Sequence, residues 1–377
     1  MNPAFSLYLD AVRVLAALLV IVYHSNLRLL THDKLPFSNH GHAAVIVFFV
    51  LSGYVIAWIT ATRETTPLAY WTSRLARFYS VALPAVLLTP MLDLAGAALA
   101  PQFYAGATTH DLAAVRIMAS LGFLNELWSL SIMSFSNVPY WSLCYEFWYY
   151  ALYAAWCFGG ARRLWLVGAG LLLVGPKIAL LAPVWLLGVV LYRWRRLQAI
   201  GPRAGLLLVL ASWAAYVLFH QGGVSQQGSE WLYRVLGAGL HRELAFSKFF
   251  VGDYLLALIV AANFLGMRAW VAARPVPVLV PSALIRTLAG YTFTAYVLHQ
   301  PLLQFFAAGI DGDPYRPRFY LATMGATLLA IVVVGALTEH QRHHWRHWCG
   351  RGLNWLQRRV NRLPIPLPVP AQKGPHG

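Results

Sequence analysis

Tyr8-Leu9-Asp10-Ala11-Val12-Arg13-Val14-Leu15-Ala16-Ala17-Leu18-Leu19-Val20-Ile21-Val22-Tyr23-His24 is a long apolar run interrupted by three ionisable side chains. The apolar stretch around it, about 6–30, has the length a helix needs to cross hydrocarbon, roughly 20 residues. Asp10 and Arg13 are three apart and share a helix face. Arg13 and His24 are eleven apart, close to three whole turns, so they share a face about 16 Å apart along the axis. A narrow polar stripe on a greasy helix has to face a bundle interior or a water-filled cavity, because an ionisable group is costly in lipid.

The rest of the chain agrees with a membrane reading. Of its 377 residues, 59% are hydrophobic and 11% charged, against roughly 25% charged in soluble domains. A soluble chain of this composition lacks the polar surface to cover itself. The net charge of +16 is read as membrane orientation, not as a nucleic-acid footprint, since the basic residues lie between apolar runs. The first run has no basic leader region and is followed by further spans, so it is not read as a cleavable signal. Cys144, Cys157 and Cys349 make no disulfide framework and are read as free thiols.

Ten apolar runs are expected to span, at about 6–30, 42–62, 78–98, 139–159, 164–180, 182–196, 204–220, 250–270, 287–308 and 319–339. The fifth and sixth meet at Gly175-Pro176-Lys177, either as a tight hairpin or as one broken helix. The stretch 112–135 is apolar too, but Asn125, Glu126 and many Ser interrupt it, and it is read as lumenal or re-entrant. With the N-terminus in the cytoplasm, nineteen of the 29 Lys and Arg residues fall in cytoplasmic segments and nine outside. That bias places both termini inside. The fold expected is an all-α polytopic bundle over 1–340, with a basic, Pro-rich cytoplasmic tail over 341–377. An amphipathic piece near 345–362 would lie on the anionic inner leaflet.

Chemistry is expected where ionisable groups enter spans. His24, in the outer half of the membrane, suits a general base as neutral imidazole. Arg74 and Arg77, three apart at the cytoplasmic start of the third span, form either a phosphate clamp or a positive-inside anchor. Glu146, in Trp141-Ser142-Leu143-Cys144-Tyr145-Glu146, calls for an Arg or His partner from another helix. His299 precedes Pro301, which frees a helix carbonyl nearby. In the tail, His340, His343, His344 and His347 superficially resemble a metal site, but the flanking arginines favour an interfacial helix, and no metal is expected.

These motifs together resemble the acyltransferase-3 family of membrane acyltransferases. The resemblance covers nearly the whole chain, in order: Leu9 to His24, Phe48-Phe49-Val50-Leu51-Ser52-Gly53-Tyr54, Arg74-Leu75-Ala76-Arg77, Trp141-Ser142-Leu143 with Glu146, and Tyr296 with His299 and Pro301. Ala11 stands where the family usually has Gly, and Ser80 where it usually has Pro. The resemblance implies transfer of an acyl group, often acetyl, from cytoplasmic acyl-CoA to a hydroxyl of an extracytoplasmic or lipid-linked glycan in the plasma membrane, the inner membrane of bacteria. It implies His24 and Glu146 as catalytic residues and Arg13, Arg74 and Arg77 as donor-binding residues. Asp10, Trp141, Ser142 and His299 would support them. The partners expected are membrane lipid and the glycan. The outer segments 99–138 and 221–249 are aromatic and polar enough to help hold a sugar. A proton-coupled transporter or flippase, or a non-enzymatic sensor, are the competing readings; buried charges suit transport, but no internal repeat is visible.

Overall fold

In a computed structural model, residues 1–26, 30–31, 34–104, 111–273 and 281–360 are described. Among them the chain is helical, with one isolated bridge between Ser134 and Asn137 and no strand. The helices are α1 (Pro3–Ser25), α2 (Gly41–Thr62), α3 (Pro67–Leu99), α4 (Ala113–Leu121), α5 (Trp141–Phe158), α6 (Arg163–Val174), α7 (Pro176–Arg193), α8 (Pro202–Gln221), α9 (Val224–Glu243), α10 (Phe250–Ala273), α11 (Ser282–Ala289), α12 (Thr292–Gly309), α13 (Pro317–Leu337) and α14 (Arg342–Val360). Proline marks the starts: Pro3, Pro67, Pro176, Pro202 and Pro317 each open a helix, where the missing N–H costs nothing. The side chains of Asn2 and Thr66 cap α1 and α3 by accepting from the Ala4 and Ala69 amides.

Seven segments, those holding α1, α2, α3, α7, α8, α10 and α13, are long and apolar enough to cross a membrane. The remaining three expected runs correspond to α5, α6 and α12. α5 and α12 have 18 residues each, but they carry their polar and aromatic side chains into the bundle. Thirteen residues of α12 are buried, so its surface need not be apolar. The run 164–180 is not a single helix. α6 has 12 residues, about 18 Å, and stops at Gly175, whose φ of 78° and ψ of −176° turn the chain. α6 runs back along α5, with Gly170 against Leu152, and α7 then runs parallel to α5, as Tyr149 bonds Ile178 and Tyr153 bonds Arg193. The hairpin alternative is therefore the correct one. Bulky apolar side chains such as Trp165 and Leu207 are left exposed on the outside of α6 and α8, as a lipid-facing surface requires.

The bundle is tightened by glycine. A Cβ on Gly53 would collide with the Trp185 carbonyl oxygen, and one on Gly188 with the Val50 carbonyl oxygen. α2 and α7 thus touch backbone to backbone, the small-residue packing that holds helices together without a hydrophobic driving force. Gly205 and Gly266 do the same for α8 and α10. At the two family departures the helices are unbroken. Ala11 lies within α1, and Ser80, wholly buried in α3, returns its hydroxyl to the Arg77 carbonyl at 2.9 Å.

The stretch expected as lumenal or re-entrant forms α4 and an irregular segment pinned to the bundle. Ser136 donates to Asp93 through its amide and hydroxyl. Lys177, counted above among the outer basic residues, is buried and paired with Glu126 at 2.7 Å, so it is no surface charge. Of the tail, residues 361–377 lie outside the described residues. α14 packs along α3, and Arg346 donates to Ser73.

Candidate active site

A cavity of 990 Å³ opens among α1, α2, α3, α5, α12 and the 339–346 segment. Six arginines line it (Arg13, Arg63, Arg74, Arg77, Arg342 and Arg346) against three glutamates, Glu64, Glu146 and Glu339. The cavity is therefore net cationic. The two residues of the Arg-x-x-Arg motif differ in what holds them. Arg74 is buried and donates to both Glu64 oxygens, at 2.9 and 3.1 Å, and to Ser73. The Arg77 guanidinium lies over the Phe293 ring at 5.1 Å and has no hydrogen bond or ion pair among the described residues. Arg13 and Asp10 pair loosely, at 3.8 Å and partly exposed. Glu339, which closes α13 in the sequence, instead caps α12 by accepting from Thr294, and pairs with Arg342.

Glu146 has no cation as its hydrogen-bonding partner, contrary to expectation. Its Oε1 accepts from the Ser52 and Tyr150 hydroxyls, both at 2.6 Å, and the Trp185 indole donates to Ser52 at 3.1 Å. Tyr150 is one turn after Glu146, and Ser52 sits beside Gly53 at the close α2–α7 contact. The i, i+4 spacing was the readable sign of Tyr150.

Above this layer the cavity ends at Ser142 and Tyr296, whose hydroxyls lie 2.6 Å apart, with Phe48 edge-on to Tyr296 at 5.4 Å. Trp141 does not line the cavity. It stacks on Phe246 at 4.4 Å. One turn beyond Tyr296 is His299, fully buried. Its Nε2 lies 3.0 Å from His24 Nδ1, and its own Nδ1 lies 3.0 Å from the Ala295 carbonyl. The carbonyl His299 uses is thus not Val297's, which Pro301 frees. His299 Nδ1 must carry a proton to bond Ala295, so a neutral His299 offers Nε2 as acceptor. His24 Nδ1–H then serves both His299 and the Val20 carbonyl at 3.0 Å. That tautomer leaves His24 Nε2 with a free lone pair.

A second cavity, of 670 Å³, is lined by Tyr23, Asn39, His42, Phe246 and Phe249 among others, and His24 and His299 are in the lining of neither cavity. α1 places Arg13 in the first cavity and Tyr23 in the second, and α2 places Arg63 in the first and His42 in the second. Among the described residues no group of three or more His, Cys, Asp or Glu gathers as metal ligands.

The chain is a helical membrane bundle with a cationic cavity, a polar aromatic wall and a histidine pair beyond it. A family described as an acyltransferase domain matches residues 6–336, so the chain belongs to the acyltransferase-3 family. It is also similar to the acyltransferase MdmB of Streptomyces mycarofaciens, 28% identical over 173 residues. The match covers 43% of this chain and 43% of that protein. No solved structure matches the chain.

Proposed function

We propose that the protein is an integral-membrane O-acyltransferase that moves an acyl group, acetyl by preference, from acyl-CoA to a hydroxyl of an extracytoplasmic or lipid-linked glycan. The observation that carries the reading is the cavity lined by six arginines, with the His24–His299 pair one turn beyond its Tyr296 wall. In this reading the chain crosses the bacterial inner membrane ten times, α5, α6 and α12 completing the seven apolar segments, with both termini and the arginine cavity cytoplasmic.

The donor phosphates dock on the cationic cavity, where Arg77, Arg13 and Arg346 supply charge-assisted hydrogen bonds. Arg74, already neutralised by Glu64, shapes the wall. The pantetheine arm extends past Glu146 and Tyr150 toward Ser142 and Tyr296. His24 Nε2 takes the proton of the acceptor hydroxyl as its oxygen attacks the thioester carbonyl. The C–O ester bond forms, the C–S bond breaks, and the departing thiolate takes a proton back from His24. His299 is a positioning residue, holding the tautomer that leaves Nε2 unprotonated.

Proton-coupled transport also fits two cavities and a histidine pair, but family membership favours transfer. Purified protein in lipid nanodiscs, supplied with [14C]acetyl-CoA and an envelope extract of the producing cell, should place label on an extract component. Extract that stays unlabelled while the protein binds acetyl-CoA refutes the reading.

A further inference from the structure

The second cavity holds a polar pair that none of the family motifs includes. His42, near the start of α2, lines it, and its Nε2 lies 2.7 Å from Asp253 Oδ1 on α10. Asp253 is fully buried, and its Oδ2 has no hydrogen-bonding partner among the described residues. A buried carboxylate anchored through one imidazole is a costly arrangement for simply joining two helices. Its chemical effect is specific. With Nε2 committed to Asp253, His42 leaves Nδ1 to hydrogen-bond a ligand, and Nδ1 has no partner among the described residues.

The surroundings suit a polyhydroxylated ligand. Tyr23, Phe246 and Phe249 offer ring faces for C–H surfaces, and Asn39 and Gln226 offer amide groups for hydroxyls. Phe249 holds the His42 ring at 5.0 Å. The cavity also comes close to the proposed base, since Tyr23, which lines it, immediately precedes His24 and lies edge-on to its ring at 4.8 Å.

We propose that this cavity is the acceptor site, that its ligand is a sugar-like polyol, and that His42, oriented by Asp253, hydrogen-bonds an acceptor hydroxyl. The proposal rests on the acyltransferase reading. It makes His42 a binding residue and Asp253 a positioning residue, and it separates them from the donor cavity.

The test titrates an envelope extract of the producing cell as acceptor and [14C]acetyl-CoA as donor, with the full-length protein in nanodiscs. His42→Ala should raise the half-saturating extract concentration about tenfold, the loss of one buried hydrogen bond, with acetyl-CoA half-saturation unchanged. Asp253→Asn should shift extract half-saturation in the same direction and leave that of acetyl-CoA alone. Gln226→Trp fills the cavity without touching the pair and should likewise weaken only the acceptor; it carries the test if the His42 variant does not fold. Extract half-saturation unmoved in both His42→Ala and Gln226→Trp, or a rise for acetyl-CoA instead, overturns the acceptor site while leaving acyl transfer standing. Wild-type protein that labels nothing overturns the acyltransferase reading, and this inference with it.

Discussion

His24 and His299, 275 residues apart in the chain, lie ring to ring with Nδ1 and Nε2 at 3.0 Å. Each ring also uses a carbonyl one turn back on its own helix, Val20 for His24 and Ala295 for His299. Two helices thereby dictate the tautomer of one nitrogen. Replacing His24 with Ala should lower acyl transfer by about 10²- to 10⁴-fold, the usual yield of a general base, with acetyl-CoA binding unchanged. His299→Gln retains a polar partner and should cost less. Initial rates with radiolabelled donor check both, and equal losses in the two variants would contradict the division of roles.

The two arginines of the third helix should behave differently. Arg77 has no ion pair within contact distance among the described residues, so Arg77→Gln should leave the protein folded and weaken acetyl-CoA binding by about tenfold, one charge-assisted contact. Arg74→Gln strips Glu64 of its buried partner and should destabilise the fold by about 3–5 kcal/mol. Thermal melts of the detergent-solubilised protein beside donor-binding isotherms distinguish the two.

The basic C-terminal helix is part of the donor cavity. Arg342 and Arg346 line it, and Arg346 reaches Ser73 on α3. The double variant Arg342→Gln/Arg346→Gln should raise half-saturating acetyl-CoA by about tenfold or more and leave extract half-saturation where it was. Steady-state titration of each substrate is the measurement.

Close helix packing supplies a fourth expectation. Gly53→Leu drives a side chain into the Trp185 carbonyl and separates Ser52 from Trp185 and Glu146. Folded protein should be lost on size-exclusion chromatography. Gly325→Ala, in α13 with nothing near the added carbon, should be neutral or stabilising by up to about 1 kcal/mol.

Much of the fold was legible because lipid makes polarity costly: the apolar runs located the long helices, and the Asp10–Arg13–His24 stripe marked an inward face. Partners were harder. Periodicity says which face a residue occupies, not which distant helix meets it, so the His24–His299 contact could not be read from spacing. Glu146 suggested a cation because a carboxylate inside a span needs compensation, yet two hydroxyls supply it, one of them, Ser52, itself held by the Trp185 indole. The fifth and sixth runs were legible only as a hairpin or a broken helix, because hydropathy continues past the Gly175 turn that ends α6. α14 read as a separate tail because its basic surface resembles an interfacial helix, whereas it packs on α3 and completes the cavity.

The two cavities have an electrical consequence. In the proposed topology each opens to its own side of the membrane, and the region of His24, His299, Ser142 and Tyr296 lies between the two media. In an energised membrane, where a full crossing is worth about 2.3 kcal/mol per charge at 100 mV, the voltage drop is focused on that region. In the proposed mechanism the proton that His24 exchanges then moves within the steepest part of the field, so the rate of acyl transfer should vary with the potential across the envelope.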